Sequence, residues 1–248
     1  MNQYSDFAFV YDELMHDVDY DNWVKYIEDI IKSENVQVQN ILELACGTGN
    51  LTIPLTKKNY DIAGIDISEE MLQVAREKAE KENVELVLLE QDIVELDFDV
   101  TNLDCILCGC DGFNYITYDE DLEGVFAKCH ELLKENGLFI FDISSYYKLS
   151  TVLGNNMYGE NRENVAYMWQ NYFDDYENLV EMDLAFFVKG EDGRFDKFEE
   201  NHLQRAYKNE EIIELLKSAG FENIKTYGDF KLEAPQKDSE RVFFVCKK

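Results

Sequence analysis

One ten-residue stretch, Ile41–Asn50 (ILELACGTGN), constrains the fold of this chain more than any other. Its apolar start predicts a buried parallel strand, and the small residues from Ala45 to Gly49 predict a tight turn. A helix over Leu51–Lys58 can follow, because Pro54 lies in its first turn, where a missing N–H costs nothing. Strand, turn and helix form the first half of a βαβ nucleotide-binding unit, in which free backbone N–H groups face the ligand.

The second predicted strand, Tyr60–Asp66, ends in an acid 19 residues after Gly47. At that distance an acid at the tip of the second strand of a βαβ unit can hold both hydroxyls of a ribose. Ser68 can cap the next helix, which would place Met71 one turn in. The thioether of Met71 then lies either against an adenine or in the core.

The third and fourth predicted strands also end in candidate binding residues. Asn83–Glu90 is followed by Asp92 and Ile93, which suit the amino edge and the face of an adenine. Leu103–Cys108 is followed by an irregular, glycine-bearing loop over Gly109–Tyr118. Because ligands of open α/β sheets bind at the carboxyl ends of the strands, we expect these features to meet at one edge.

The rest of the chain predicts more helices and a second sheet. A helix over Asp119–Leu133 and a fifth strand over Gly137–Ser144 complete the parallel part. Three segments then alternate like antiparallel strands: Val165–Phe173, Leu179–Val188 and Asp196–Ala206. A helix is predicted over Asn209–Ala219. The last two segments, Phe221–Leu232 and Arg241–Lys248, form a closing antiparallel pair. We therefore interpret residues 1–145 and 206–248 as the core and residues 146–205 as an inserted antiparallel β cap.

The N-terminal residues 1–35 combine an aromatic segment with a helix. Tyr4–Asp19 is dense in aromatic residues, and Tyr20–Lys32 has apolar residues at helical spacing. The aromatic segment either closes over the ligand as a lid or simply covers the edge of the sheet.

Composition limits the partners and the compartment. With 23 basic against 52 acidic residues, the net charge of −29 repels nucleic acids and anionic membranes, although solubility alone also explains it. We find no apolar run of 18 residues and no secretory signal, and six cysteines in 248 residues do not form a small disulfide framework. We expect a cytoplasmic protein with reduced thiols.

The glycine turn favours S-adenosylmethionine over a dinucleotide. A dinucleotide fingerprint requires a third glycine for close helix–strand packing, and Thr52 lies at that position. Glu43, just before the turn, would oppose a phosphate but suits a ligand with a cationic amino group. Two alternatives remain. One is a different enzyme, a nicotinamide-dependent oxidoreductase. The other is a non-catalytic cofactor-binding module that serves a protein partner.

Four motifs together resemble those of class I S-adenosylmethionine-dependent methyltransferases of the small-molecule branch. They are Glu43-x-x-x-Gly47-x-Gly49, the acid Asp66, Gln91-Asp92-Ile93 and Leu133–Ile143 (LKENGLFIFDI). Ala45 stands where many members carry a first glycine. The resemblance implies an α/β fold with a Rossmann-like, seven-stranded, mostly parallel sheet, flanking helices and an antiparallel final strand, with the cap inserted.

The resemblance also implies the cofactor site. The turn would approach the methionine moiety, Asp66 would hold the ribose, and the Cys108 carbonyl would accept from the cofactor amino group. The expected cofactor-binding residues are Tyr11, Glu43, Ala45, Gly47, Gly49, Asp66, Ile67, Met71, Asp92, Ile93 and Cys108. The activity implied is methyl transfer to an oxygen or nitrogen of a small molecule.

The residues that contact the methyl acceptor are less well specified. Related nucleobase and amino methyltransferases often carry N/D-P-P-Y/F after the fourth strand, and this chain has CDGFNY there, which disfavours that chemistry. A general base is needed only if the nucleophile arrives protonated. The catalytic candidates are Asp111, His16, His202 and Tyr115, and the candidate pocket-wall residues are Tyr4, Tyr115, Trp169 and Arg205.

The spacing of Cys105, Cys108 and Cys110 contains a C-x-x-C pair that could suggest zinc. On a strand, residues three apart point to opposite faces, so Cys105 and Cys108 cannot share a metal ion. No second ligand pair lies at suitable spacing, and we expect no metal site.

Overall fold

The computed structural model describes residues 8–97, 100–190 and 192–248. Its strands are β1 (Asn40–Leu44), β2 (Asp61–Asp66), β3 (Val87–Glu90), β4 (Leu103–Cys108), β5 (Leu133–Ser144), β6 (Met157–Asn161), β7 (Val165–Asp174), β8 (Leu179–Lys189), β9 (Phe195–Arg205), β10 (Asn223–Gly228) and β11 (Arg241–Lys247). Its α-helices are α1 (Ala8–Leu14), α2 (Tyr20–Ser33), α3 (Thr52–Lys57), α4 (Glu69–Lys81), α5 (Asp119–Leu132) and α6 (Asn209–Ser218).

Seven strands form the main sheet, in the order β10-β11-β5-β4-β1-β2-β3. Strands β1 to β5 run parallel, whereas β11 is antiparallel to both β5 and β10. The predicted α/β fold is therefore confirmed, including the antiparallel final strand. The strand order reverses between β1 and β4, and the crevice at such a reversal is where open α/β sheets bind ligands.

Apolar residues cover both faces of this sheet, as parallel strands require. Ile41 packs with α2 and α3 on one face, and its neighbour Leu42 packs with α5 and α6 on the other. Cys105 and Cys108 likewise lie in different clusters on opposite faces. The described residues contain no group of His, Cys, Asp and Glu side chains arranged to hold a metal ion.

A second, antiparallel sheet in the order β6-β7-β8-β9 follows β5. Three of its strands are predicted from alternation, but β6 is missed because MYGEN carries no apolar alternation. A π-helical segment over Lys148–Leu153 is missed as well. The division of the chain into a core and a cap stays a prediction.

Helix α1 lies within the aromatic N-terminal segment and packs between α4 and the second sheet. Ala8 of α1 shares a buried cluster with Met71 of α4 and Phe186 of β8. Residues 1–7 are outside the described chain. No helix in the described part of the chain is long and apolar enough to cross a bilayer.

Candidate functional site

The turn after β1 uses left-handed backbone. The φ angle is 51° at Ala45, 54° at Gly47 and 75° at Gly49. A Cβ on Gly49 would lie 3.3 Å from the Cβ of Ala75 on α4, so glycine is required for close packing of the helix. Ala45 adopts its conformation at a cost of about 1–2 kcal/mol. The turn brings bare backbone to the carboxyl edge of the sheet.

A cavity of about 910 Å³ opens at this edge. Its volume is within the roughly 300–1,000 Å³ of small-molecule sites. At one end it is lined by the turn after β1, and at the other by Trp169 and Met182 of the second sheet. A single space therefore joins the predicted cofactor residues to the predicted cap.

Asp66 connects the turn to the tip of β2. It is 8% exposed, and its carboxylate accepts hydrogen bonds from the backbone N–H groups of Gly47 at 2.7 Å and Ser68 at 2.9 Å. Burial raises the pKa of Asp66, and these hydrogen bonds oppose that rise. Ser68 in turn accepts from the N–H of Met71 at 3.2 Å and so caps α4 as predicted.

Glu43 lies buried beneath the turn, 2% exposed, and its carboxylate accepts from the Thr52 hydroxyl at 2.6 Å. Burial raises the pKa of Glu43 to about 8, Asp66 adds to the rise and the Thr52 hydrogen bond opposes it. Glu43 is therefore mostly protonated at neutral pH, although it lines the cavity.

Residues after β2 and β3 form an apolar slot with one acid. Asp92 accepts from the N–H of Val94 at 2.9 Å and begins a 3-10 turn. Ile67, Met71, Asp92 and Ile93 all line the cavity, and Ile67 is 60% exposed there. Because the side chain of Ile67 is exposed in the same cavity as the Asp92 carboxylate, it can cover one face of a flat, apolar ring.

Most of the predicted cofactor residues line the cavity, and two do not. The residues that line it are Tyr11, Glu43, Ala45, Gly47, Asp66, Ile67, Met71, Asp92 and Ile93. Cys108 is fully buried at the end of β4, and Gly109 and Cys110 form the wall there instead. Gly49 lies behind the turn, packed against α4.

A buried ion network forms the floor beyond Cys110. Arg241 pairs with Asp111 at 2.9 Å and with the fully buried Asp142, whose carboxylate also accepts from the backbone N–H of Asp111 at 3.1 Å. Burial raises the pKa of Asp142 to about 6, although the charge of Arg241 opposes the rise. The second oxygen of Asp111 accepts from Gln204 Nε2 at 3.1 Å. Both Asp111 oxygens are therefore occupied.

Two further catalytic candidates lie together on the cavity wall. Nδ1 of His202 is 3.4 Å from the Tyr115 hydroxyl, and His202 is 3% exposed. Burial lowers the pKa of His202 to about 4, so its imidazole is neutral at physiological pH. Trp169, expected in the pocket wall, also lines the cavity.

Two candidates lie outside the cavity lining, and one is not described. His16 is exposed and contacts Arg162 at 2.7 Å. Arg205 donates to the Thr117 carbonyl at 3.0 Å and pairs with Asp119 at 3.0 Å, which turns its guanidinium toward the start of α5. Tyr4 lies outside the described residues.

Sequence reasoning missed several cavity residues, among them Tyr20, Lys148, Gln204 and Arg241. Gln204 could have been found, because it is two residues after His202 on the same strand and so shares its face. No local pattern marks Lys148 or Arg241.

Comparisons with known proteins agree with this geometry. A family model described as a methyltransferase domain matches residues 41–137. A relative from Geobacillus sp. (strain WCH70), named as a methyltransferase, is 37% identical over 246 residues, which are 99% of this chain and 99% of that protein. The chain belongs to the class I S-adenosylmethionine-dependent methyltransferases. A crystal structure of an S-adenosylmethionine-dependent methyltransferase from Clostridium acetobutylicum is 40% identical to this methyltransferase, with a TM-score of 0.88 over 98% of each chain.

A third relative adds a named activity. The glycine/sarcosine N-methyltransferase of Aphanothece halophytica is 27% identical over 211 residues, 85% of this methyltransferase and 76% of that protein. Membership of this family shows that the cofactor is S-adenosylmethionine and not a dinucleotide. The cavity fits that cofactor, because an acid at the tip of β2 lies beside the exposed Ile67 and the bare turn at Gly47.

Proposed function

We propose that this methyltransferase transfers a methyl group from S-adenosylmethionine to a nitrogen or oxygen of a small molecule. The single observation that carries the proposal is the continuity of the 910 Å³ cavity from the turn at Gly47 to His202 on the second sheet. Such a space holds a cofactor and a small acceptor end to end.

The residues of the cavity would align the two reactants. S-adenosylmethionine supplies a methyl group on a sulfonium, and transfer is an in-line displacement that depends on orientation and exclusion of water. The lone pair of the acceptor forms the new bond as the C–S bond breaks, and a protonated acceptor then loses its proton. We assign the cofactor half to Asp66, Ile67, Met71, Asp92 and the turn after β1.

His202 and Tyr115 are proposed to orient the nucleophile. A neutral imidazole can accept a hydrogen bond from the amine or hydroxyl of the methyl acceptor. That hydrogen bond would orient the lone pair of the acceptor atom toward the methyl group. With a pKa of about 4, His202 is a weak base, which favours an amine or an already acidic hydroxyl over an ordinary alcohol. The N-methyltransferase among the relatives supports nitrogen, although this chain has CDGFNY where many amino methyltransferases carry N/D-P-P-Y/F.

Two measurements test the proposed function. Isothermal titration calorimetry with S-adenosylhomocysteine should detect binding, and its absence at millimolar ligand would refute the cofactor site. Incubation with methyl-labelled cofactor and a metabolite extract should move label into small molecules. Label found only in protein or RNA would overturn the proposed acceptor class.

The ribose contact predicts one large loss of affinity. Asp66→Ala should weaken S-adenosylhomocysteine binding by roughly 1–3 kcal/mol through lost charge-assisted hydrogen bonds. The matched control is Asp61→Ala, which removes an exposed carboxylate from the opposite end of the same strand. Calorimetry checks both variants, and an unchanged affinity in Asp66→Ala would remove that residue from the site.

We also propose that the N-terminal segment closes over the cofactor half as a lid. Asp12 of α1 accepts from the Thr48 hydroxyl at 2.7 Å and from the Asn50 amide at 2.9 Å, and it pairs with Lys78 at 2.7 Å. These contacts hold α1 across the turn after β1.

Removal of Asp12 should therefore loosen that segment. Asp12→Ala is expected to weaken S-adenosylhomocysteine binding by about 1 kcal/mol and to increase amide hydrogen exchange in α1. Glu13→Ala, an exposed change on the same helix, is the control. Equal exchange in the two variants would contradict the lid.

A further inference from the structure

Lys148 is a cation on the cavity wall that forms no ion pair with a carboxylate in the described part of the chain. It begins the π-helical segment four residues after the end of β5, and its backbone N–H donates to the Ser145 hydroxyl at 3.0 Å. Its side chain is half-buried and lines the cavity, and no carboxylate of the described residues forms an ion pair with it. The neighbouring cation, Arg241, is matched instead by Asp111 and Asp142.

The surroundings of Lys148 make an incoming anion favourable. Burial lowers the pKa of Lys148, and the positive charge of Arg241 lowers it further, while the carboxylates of Asp111, Glu240 and Asp142 oppose this. A cation withdrawn from water without a partner costs free energy that an opposite charge would return. Asp111, by contrast, offers no free charge to a ligand, because both of its oxygens already accept hydrogen bonds.

Trp169 supplies a second donor on the same wall. Its indole Nε1 is buried and has no acceptor among the described residues. Its ring packs on Tyr158 with centroids 5.6 Å apart, and it shares an apolar cluster with Leu149 and Leu153, which belong to the segment that begins at Lys148. A buried indole N–H usually has a partner, so its orphaned state indicates a missing acceptor atom.

Apolar side chains form part of the wall near these donors, beside the polar groups of His202 and Gln204. Leu153, Met182 and Leu184 line the cavity together with Trp169. A ligand that fills this end therefore needs an apolar body and an anionic end.

We propose that the methyl acceptor carries an anionic group, a carboxylate or a phosphate ester, that binds the ammonium of Lys148 and accepts from Trp169 Nε1. This inference rests on the proposed function and names the substrate class of the same site. A lysine ammonium is a compact point charge that binds either anion. The apolar part of the acceptor packs against Met182 and Leu184, and its nucleophilic atom points toward the cofactor half.

The test uses the full-length protein with methyl-labelled S-adenosylmethionine and a metabolite extract. Carbodiimide coupling of the labelled products to an amine resin captures carboxylates, including those of zwitterions. Phosphodiesterase followed by alkaline phosphatase shifts the chromatographic mobility of labelled phosphate esters, both diesters and monoesters. We expect one of these treatments to act on the main labelled product, which also distinguishes the two anions.

The variants assign that selectivity to Lys148. Lys148→Met should lower kcat/KM for the purified acceptor by about 10- to 100-fold, the effect of one charge-assisted contact, mostly through KM. Lys148→Arg should retain most of the activity. Lys25→Met removes one positive charge from the exposed face of α2 and should change nothing. S-adenosylhomocysteine affinity, measured for each variant, reports on the folded cofactor half.

The outcomes separate this inference from the proposed function. Label in a product that neither treatment affects overturns the anionic acceptor and leaves methyl transfer to small molecules intact. An anionic product whose kcat/KM is equal in the wild type and Lys148→Met overturns the role of Lys148. Absence of any label in small molecules overturns the proposed function and this inference with it.

Discussion

Arg241→Met is expected to destabilise the protein by about 3–5 kcal/mol, the usual cost of removing one member of a buried ion pair. Asp142 is fully buried, and one of its oxygens already lacks a hydrogen-bond partner among the described residues. Without Arg241, its charge and that of Asp111 would face each other with no cation in contact. Urea denaturation at pH 7.5 measures the loss as a change in the free energy of unfolding.

Two further variants show whether the buried charge is the cause. Arg194→Met breaks an ion pair with Asp192 in which the arginine side chain is 86% exposed, and it should cost less than about 1 kcal/mol. Asp142→Asn added to Arg241→Met should recover part of the lost stability, because it removes the unpaired charge. A small loss in Arg241→Met, or no recovery in the double variant, would contradict the buried network.

Glu43→Gln should make the protein more stable than the wild type at pH 8.5 and similarly stable at pH 4.5. The pKa of Glu43 is raised from 4.5 to about 8 in the fold. Because the folded protein binds the Glu43 proton more tightly than the unfolded chain does, protonated Glu43 makes its full contribution to the free energy of unfolding below pH 4.5. That contribution is lost as the pH rises to about 8. The loss amounts to at most about 4–5 kcal/mol over this window. Glutamine cannot ionise, so the variant lacks this loss.

Chemical denaturation across pH 4.5–8.5 measures the difference between the two proteins. We expect the advantage of Glu43→Gln to grow with pH. Glu85→Gln, at an exposed position before β3, is the matched control and should change the free energy of unfolding by no more than about 0.5 kcal/mol. A flat difference for Glu43→Gln as well would mean that Glu43 ionises in the fold as it does in water.

The end of the cavity near the turn after β1 was predictable because its residues lie close in sequence and at strand ends. The apolar run before Ala45, the turn and the acid at the end of β2 are local patterns, and parallel pairing alone brings their ends to one edge. Strand β4 was also predictable, because its residues form a short, mostly apolar run. The opposite faces of Cys105 and Cys108 follow from the alternation of side chains along a strand.

The floor of the cavity and the lining from the second sheet were harder to predict because their geometry depends on distant pairs. Arg241 contacts Asp142 and Asp111 from 99 and 130 residues away, and no local periodicity reports such a pairing. Arg205 was expected in the pocket wall, but its guanidinium pairs with Asp119 at the start of α5. His16 was a candidate because of its position near the aromatic segment, and its partner Arg162 lies 146 residues away.

The buried ion network also bears on the order in which the two halves of the cavity assemble. The hydrogen bond from Gly47 to Asp66 closes a span of 19 residues, whereas Arg241 must close spans of 99 and 130. Chain entropy opposes the longer closures more strongly, and a carboxylate such as Asp142 stays hydrated until its cation arrives. A nascent chain that has not yet extended to Arg241 can thus form the end of the cavity near Asp66 while the floor at Asp142 is still unformed.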